Sequence, residues 1–109
     1  MREKRQKILI VEDEPILRQG LEVLGDWGKN GLILIGSVQN GREALELMAT
    51  ELPDIIITDI MMPVMDGIEL IKRVKIQYPE VEIIVLSNYS DFQYVRQAMK
   101  AGAADYLLK

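Results

Sequence analysis

Five short apolar runs recur along this chain, and the residues within each run are consecutive rather than alternating with polar ones. They occupy residues 8–11, 32–35, 55–57, 83–86 and 106–108. Continuous apolar strands are typical of parallel sheets that helices cover on both faces. Apolar residues between the runs recur near helical spacing. The chain is therefore predicted to alternate strand and helix in the order βαβαβαβαβ.

This alternation favours a doubly wound α/β fold with a five-stranded parallel sheet and helices on both faces. The residues that start and stop helices agree with it. Pro15 is placed to open the first helix, Asn40 or Gly41 the second and residues 90–91 the fourth, while Gly102 stands where the fourth helix would end.

We expect one domain over residues 8–109, preceded by a charged leader at residues 1–7. The sequence stops directly after the fifth apolar run, before a helix that could cover it. We therefore expect these residues to be the N-terminal part of a longer protein. No apolar stretch approaches the roughly 18 residues that suggest a membrane span. The run after the leader is too short for a secretory signal, which predicts a cytoplasmic location.

Charge and composition exclude several functions for this segment. The 17 acidic residues outnumber the 13 basic ones, and the net charge of -4 argues against nucleic-acid binding by the segment itself. The chain has no cysteine and no histidine. Thiolate metal sites, imidazole bases and a phosphohistidine of its own are therefore excluded.

Polar residues stand at or just beyond the ends of four apolar runs: Asp13, Asp59, Ser87 and Lys109. The carboxyl ends of parallel strands share one sheet edge, where open α/β folds build their sites, so these side chains are expected to converge. Carboxylates held together, as Glu12, Asp13 and Asp59 would be, need a cation nearby. Ligands that offer only oxygen favour Mg²⁺.

An aspartate at the exit of a buried strand can act as a covalent nucleophile toward phosphorus. A phosphoryl group on Asp59 would need Mg²⁺ on one side, with the hydroxyl of Ser87 and the ammonium of Lys109 nearby. Singly, each residue has a plainer interpretation. Residues 12–13 would be surface charge at a loop start, Ser87 a turn residue and Lys109 a solvated terminus.

Together these residues resemble the response-regulator receiver domain of bacterial two-component signalling, the CheY-like fold. The resemblance covers nearly all of residues 7–109 and implies a flavodoxin-like (βα)5 architecture whose last helix lies outside this segment. It is carried by the acidic pair Glu12–Asp13, by Asp59, by the loop signature formed by Met62, Pro63, Met65, Asp66 and Gly67, by Ser87 and by Lys109.

The resemblance implies that Asp59 accepts a phosphoryl group from a sensor histidine kinase. It also implies that Mg²⁺ is ligated by Asp13, by Asp59 and by the backbone carbonyl of Met61, with Glu12 acting through water. The side chains of Met61, Met62 and Met65 would in themselves be core fillers or a soft contact surface.

The family's switch implies roles for three further residues. Lys109 would pair with a phosphoryl oxygen, Ser87 would move toward the phosphate, and Tyr106 would rotate inward into the space vacated. Without the resemblance, Tyr106 is equally well interpreted as a half-buried aromatic residue on an edge strand. Asn88 stands where the family commonly has a small residue, which leaves the lifetime of the phosphoryl group open.

Residues 86–92 and 104–109 are similar to receivers attached to AraC-type helix-turn-helix output domains. That similarity implies a DNA-binding output domain outside this segment and a role in transcription regulation. Family receivers often pair through their fourth helix, fifth strand and last helix. Whether this segment forms a phosphorylation-dependent homodimer is therefore left open, because it lacks the last helix.

Two other functions share parts of the pattern. A Mg²⁺-dependent phosphohydrolase of the haloacid-dehalogenase type would need a second aspartate two residues after its nucleophile, but residues 13–15 are Asp-Glu-Pro. A flavin-binding flavodoxin would need a loop that accepts phosphate, and the acidic residues 12–14 would repel one. The chain is therefore expected to assist its own phosphorylation without being an enzyme on a free substrate.

Overall fold

The structure, a computed structural model, describes residues 6–24, 27–62, 64–88 and 92–108. Within these ranges five strands alternate with four α-helices, and a single 3-10 turn at Gly28–Asn30 precedes the second strand. The strands are β1 (Gln6–Val11), β2 (Leu32–Val38), β3 (Ile55–Asp59), β4 (Glu82–Ser87) and β5 (Asp105–Leu108), and the helices are α1 (Pro15–Leu24), α2 (Gly41–Met48), α3 (Gly67–Gln77) and α4 (Phe92–Ala101).

The strands form one five-stranded sheet in the order β2-β1-β3-β4-β5, and all neighbouring strands are parallel. The doubly wound α/β fold predicted from the sequence is confirmed. The order reverses between β1 and β3, because β2 lies on one side of β1 and the later strands lie on the other. In such sheets the crevice beyond the strand ends at this reversal is the usual ligand site.

Both faces of the sheet are covered, which explains why the strands are continuously apolar. Along β1, Leu9 and Val11 pack into a core with residues of α2, α3 and α4. Ile8 and Ile10 point to the opposite face, where Leu21 of α1 packs against them. Each apolar residue of β1 is therefore buried whichever way it points.

The side of the sheet that α1 covers also holds the single tryptophan of the chain. Trp27 packs against the cluster that contains Ile8 and Ile10. Its carbonyl accepts a hydrogen bond from the backbone N–H of Leu32 at 2.8 Å, where β2 begins. Its indole Nε1 is buried and has no hydrogen-bond partner among the described residues. The side chain therefore stabilises this face by apolar contact.

β5 is an edge strand, and all four of its residues are exposed. Leu107 pairs in register with the buried Leu86 of β4, yet half of its own surface, 50%, remains exposed. The fifth strand thus has little cover on the described part of the chain, as the sequence led us to expect.

The helix ends follow the signals in the sequence. α1 begins at Pro15. α2 is capped by Asn40, whose side chain accepts a hydrogen bond from the backbone N–H of Glu43 at 2.9 Å. α4 ends before Gly102, which has φ of 121°, a conformation that glycine adopts without strain. The predicted start of α4 at residues 90–91 lies outside the described residues.

Among the described helices, none combines the length and the apolar character that crossing a lipid bilayer requires.

α3 begins in direct contact with the end of β3. The backbone N–H of Gly67 donates a hydrogen bond to the carbonyl of Ile60 at 2.7 Å. A Cβ atom on Gly67 would clash with the carbonyl oxygen of Asp59 and would lie 2.9 Å from the Cα of Ile60. Only glycine fits between the strand end and the helix start.

Gly67→Ala is expected to destabilise the protein, because the added methyl group would push backbone against backbone. We expect a loss of about 2 kcal/mol or more in the free energy of unfolding, measured by urea denaturation followed by circular dichroism. Gly20→Ala is the matched control. Nothing lies within 4 Å of a Cβ at that position in α1, and the substitution should stabilise the helix by about 0.5–1 kcal/mol. Equal effects of the two changes would contradict the contact.

Candidate functional site

Three carboxylates meet at the carboxyl ends of β1 and β3. Glu12 and Asp13 directly follow β1, and Asp59 is the last residue of β3. The two strands are neighbours, with Val11 paired to Thr58. One oxygen atom from each carboxylate lies within 4.8 Å of the others. The structure thus brings together the three acidic residues that the sequence predicted to converge, and we call them the acidic cluster.

The acidic cluster is largely removed from solvent. Glu12 is 0% exposed and Asp59 is 4% exposed, while Asp13 is intermediate. Burial weakens the screening by water, so carboxylates this close repel one another strongly unless a cation lies among them. The donor set is all oxygen, which is what a hard divalent cation prefers. These residues therefore fit a divalent cation of that kind.

Backbone contacts fix the two buried acids. The N–H of Ile60 donates to Oδ1 of Asp59 at 2.8 Å, and the hydroxyl of Thr58 donates to the Asp59 carbonyl at 2.9 Å. The N–H of Glu14 donates to Oε2 of Glu12 at 3.1 Å. Each carboxylate is thereby oriented by the strand end or loop that carries it.

The loop between β3 and α3 carries the methionines of the sequence signature. Met62 and Met65 are partly buried against the core, whereas Met61 is exposed. The interpretation as core fillers therefore holds for Met62 and Met65, whereas a contact surface at the exposed Met61 stays a prediction. Pro63 lies outside the described residues. Val64 has φ of 69°, a left-handed conformation that is strained for a β-branched residue and that the sequence did not reveal.

Asp66 caps α3 at the far end of this loop. Its side chain accepts a hydrogen bond from the backbone N–H of Glu69 at 2.9 Å. The carbonyl of Met65 accepts from the N–H of Gly41, the first residue of α2, at 3.4 Å. The loop is therefore hydrogen-bonded to the starts of both α2 and α3.

Ser87 is the last residue of β4 and is completely buried. Its hydroxyl oxygen has no hydrogen-bond partner among the described residues, which is costly for a buried polar group. Ser87 pairs in register with Leu108, the residue before Lys109. Lys109 itself lies outside the described residues. Its predicted approach to Asp59 remains a prediction.

A cavity of about 520 Å³ lies between α4 and β5. Ser87 lines it, together with Phe92 and Met99 of α4 and Tyr106 and Leu108 of β5. Tyr106 is 46% exposed on the edge strand. Ser87 at the end of β4 and Tyr106 on β5 therefore line the same cavity.

Sequence and structure comparisons agree on the family. The sequence profile of the response regulator receiver domain matches residues 8–109. The chain belongs to this family. The fold is similar to the solved structure of a selenomethionine derivative of the receiver domain of AraT, a response regulator from Geobacillus stearothermophilus. The TM-score is 0.88 at 36% sequence identity, and the match covers 95% of this chain and 81% of that one.

The curated relatives of this receiver domain are much longer than the chain. YesN of Bacillus subtilis, described as an uncharacterized transcriptional regulatory protein, is 48% identical over 94% of this chain, which spans 28% of that protein. The transcriptional regulatory protein HptR of Staphylococcus aureus is 37% identical over 94% of this chain, which spans 40% of it. The chain thus covers less than half the length of either relative.

The receiver site includes a contact that the sequence reasoning missed. Nη1 of Arg18, on the first turn of α1, donates a hydrogen bond to the backbone carbonyl of Glu12 at 2.9 Å. One signal could have indicated it. The amino end of a helix carries partial positive charge, so a cation in the first turn is disfavoured unless something else attracts it.

Ser87→Ala is expected to leave the stability of the receiver unchanged or to raise it by up to about 1 kcal/mol, because it removes a buried hydroxyl that has no partner. Thr58→Val is the matched control, since the buried Thr58 hydroxyl donates to the Asp59 carbonyl. It should cost about 1 kcal/mol. Urea denaturation of both variants is the measurement. A clear loss of stability in Ser87→Ala would show that the hydroxyl has a partner in solution.

Proposed function

We propose that this receiver domain takes a phosphoryl group on Asp59 from the phosphohistidine of a sensor histidine kinase. An oxygen of Asp59 attacks phosphorus, an O–P bond forms, and the P–N bond breaks with its electron pair left on the imidazole nitrogen. The carrying observation is the placement of Asp59 at the end of β3, within the acidic cluster. A phosphoacceptor role is general for this family.

Asp13 and Asp59, with the backbone carbonyl of Met61, are the proposed ligands of Mg²⁺, and Glu12 is proposed to act through water. The mutual approach of the carboxylates and their oxygen-only chemistry support this assignment. When bound, the ion would neutralise charge on the phosphoryl oxygens. The chain's own part is to orient Asp59, which the N–H of Ile60 does by donating to Oδ1.

Two residues are proposed to bind the phosphoryl group once it is on Asp59. The buried hydroxyl of Ser87 would donate a hydrogen bond to a phosphoryl oxygen, and the absence of another described partner for it supports this role. The ammonium of Lys109 would pair with a second oxygen. Its support is the register, since Leu108 immediately before it pairs with Ser87.

Tyr106 is proposed to complete the switch. As Ser87 turns toward the phosphate, the ring of Tyr106 would move into the space between α4 and β5. The cavity of about 520 Å³ that both residues line leaves room for this movement. Phosphorylation would thereby change the surface of α4 and β5 that a partner contacts.

The output is proposed to be transcription regulation by the remainder of a longer protein. YesN and HptR are named as transcriptional regulatory proteins, and this chain spans only part of each. A DNA-binding output domain of the AraC type and a phosphorylation-dependent homodimer belong to this proposal, as does action in the cytoplasm. The chain would work as a stoichiometric phosphoacceptor rather than as an enzyme, so release of many phosphate equivalents from a phosphate ester would instead favour a phosphohydrolase.

Asp59→Asn is expected to abolish labelling by a small phosphodonor, such as acetyl phosphate with Mg²⁺, because the amide cannot replace the nucleophilic carboxylate. Intact-protein mass spectrometry would measure the added phosphoryl mass. Asp66→Asn is the control. It also removes one carboxylate from this region, but asparagine caps a helix as well as aspartate does, so its labelling should be unchanged. Full labelling of Asp59→Asn would refute the assignment.

Asp13→Asn is expected to weaken Mg²⁺ binding by about tenfold or more, which corresponds to about 1.4 kcal/mol of binding free energy. The reason is that the amide is a poorer ligand and carries no charge. Isothermal titration calorimetry with Mg²⁺ alone is the measurement. Asp54→Asn serves as the charge-matched control. Asp54 accepts a hydrogen bond from the Lys7 N–H at 2.7 Å, just before β3 begins and so at the opposite end of that strand from Asp59. Equal losses in the two variants would contradict a local role for Asp13.

A further inference from the structure

We propose that Arg18 is a positioning residue for the metal site, acting through the backbone of Glu12 rather than on the metal or the phosphate. This inference rests on the proposed Mg²⁺ site. Its starting point is one contact between α1 and the loop after β1, in which Nη1 of Arg18 donates to the Glu12 carbonyl at 2.9 Å in a partly buried setting.

The contact controls the peptide group that leads into Asp13. The carbonyl of Glu12 belongs to the planar peptide unit that joins Glu12 to Asp13. Fixing that plane limits the rotation of the Asp13 backbone, and hence where its carboxylate can lie. On the other side of Glu12, its N–H donates to the carbonyl of Val38 in β2 at 2.9 Å. Glu12 is thus held on one side by the sheet and on the other by α1.

Asp13 has no comparable support from its own side chain. Within the described part of the chain, no hydrogen bond or ion pair to the Asp13 carboxylate is found. Its orientation therefore depends on the backbone on which it stands. The Arg18 guanidinium is the side chain that holds this backbone from the helix. A planar guanidinium with several fixed donors suits that task better than a flexible ammonium.

The position of Arg18 on α1 is unfavourable by itself. Its backbone N–H donates to the Glu14 carbonyl at 2.9 Å, which places it in the first turn of the helix. The helix dipole disfavours a cation there, and α1 carries no acidic residue in that turn to offset it. The hydrogen bond to Glu12 and the negative charge of the acidic cluster compensate for this.

Charge and positioning predict opposite effects on metal affinity, so the two are separable. If Arg18 acted only through its charge, removing it would strengthen the binding of a divalent cation, because like charges repel. If it positions the Glu12–Asp13 peptide, removing it weakens binding in spite of the lost repulsion. Groups that orient a metal ligand typically change metal affinity by about 10–100-fold when they are removed.

The test compares Arg18→Met, Arg18→Lys and the wild-type receiver by calorimetric titration with Mg²⁺ alone. We expect Arg18→Met to weaken binding by about tenfold, the lower end of that range. Arg18→Lys should recover part of the loss, because its ammonium can still donate to the carbonyl. Arg73→Met is the control. Arg73 lies on α3 in an exposed pair with Glu69 at 3.5 Å, and its loss should leave Mg²⁺ affinity unchanged.

Thermal denaturation in EDTA and in Mg²⁺ separates positioning from general stability. Positioning predicts that Arg18→Met reduces the rise in Tm that Mg²⁺ produces. A lower Tm in EDTA with an unchanged Mg²⁺ affinity would assign Arg18 a structural role only and overturn the inference, as would tighter Mg²⁺ binding in Arg18→Met. A wild-type receiver that binds no Mg²⁺ would instead overturn the proposed metal site itself.

Discussion

Repulsion among three clustered carboxylates, two of them buried, is the physical constraint on which the rest of this site depends. The acidic cluster exists because β1 and β3 are neighbours and because their carboxyl ends share one edge of the sheet. Backbone N–H groups donate hydrogen bonds to Glu12 and Asp59 and so orient both carboxylates. A cation among the three carboxylates would relieve the repulsion, and a phosphoryl group bound there is the proposed partner of the Ser87 hydroxyl, which has none among the described residues.

The end of β3 at Asp59 and the start of α3 are in direct backbone contact. Gly67 starts α3 against the carbonyl of Asp59, and its own N–H is bonded to Ile60. A displacement of the Asp59 backbone would therefore reach α3 directly. The opposite situation holds between α4 and β5, where a cavity separates the elements. Packed interfaces resist continuous deformation. Close packing between β3 and α3, with free space between α4 and β5, would therefore favour structural change on the α4 side of the sheet.

Much of the fold could be predicted because burial on both faces leaves a simple record in the sequence. Continuous apolar runs located all five strands, and Pro15, Asn40 and Gly102 marked helix ends that the structure confirms. The lengths of the strands were harder to predict from the sequence. β2 continues to Val38 through Gly36 and Ser37, since pairing with β1 supplies hydrogen bonds that residue polarity does not predict.

Only part of the candidate site could be predicted, because some of its contacts leave no pattern in the sequence. The convergence of Glu12, Asp13 and Asp59 follows from strand order and was predicted. The reach of Arg18 depends on the rotamer of a long side chain across two elements, and the left-handed backbone of Val64 depends on a loop anchored at both ends. Neither leaves a periodic pattern. The role of Lys109 remains a prediction.

Because of where Trp27 lies, the protein's tryptophan fluorescence should report mainly on the α1 side of the sheet. The indole packs on the face that α1 covers, whereas the cavity that Ser87 and Tyr106 line opens between α4 and β5. Emission from this fluorophore should therefore change when α1 detaches or the protein unfolds. It should change little when residues beside α4 rearrange. Optical titrations of this receiver would need a reporter placed on α4 or β5 to detect a rearrangement there.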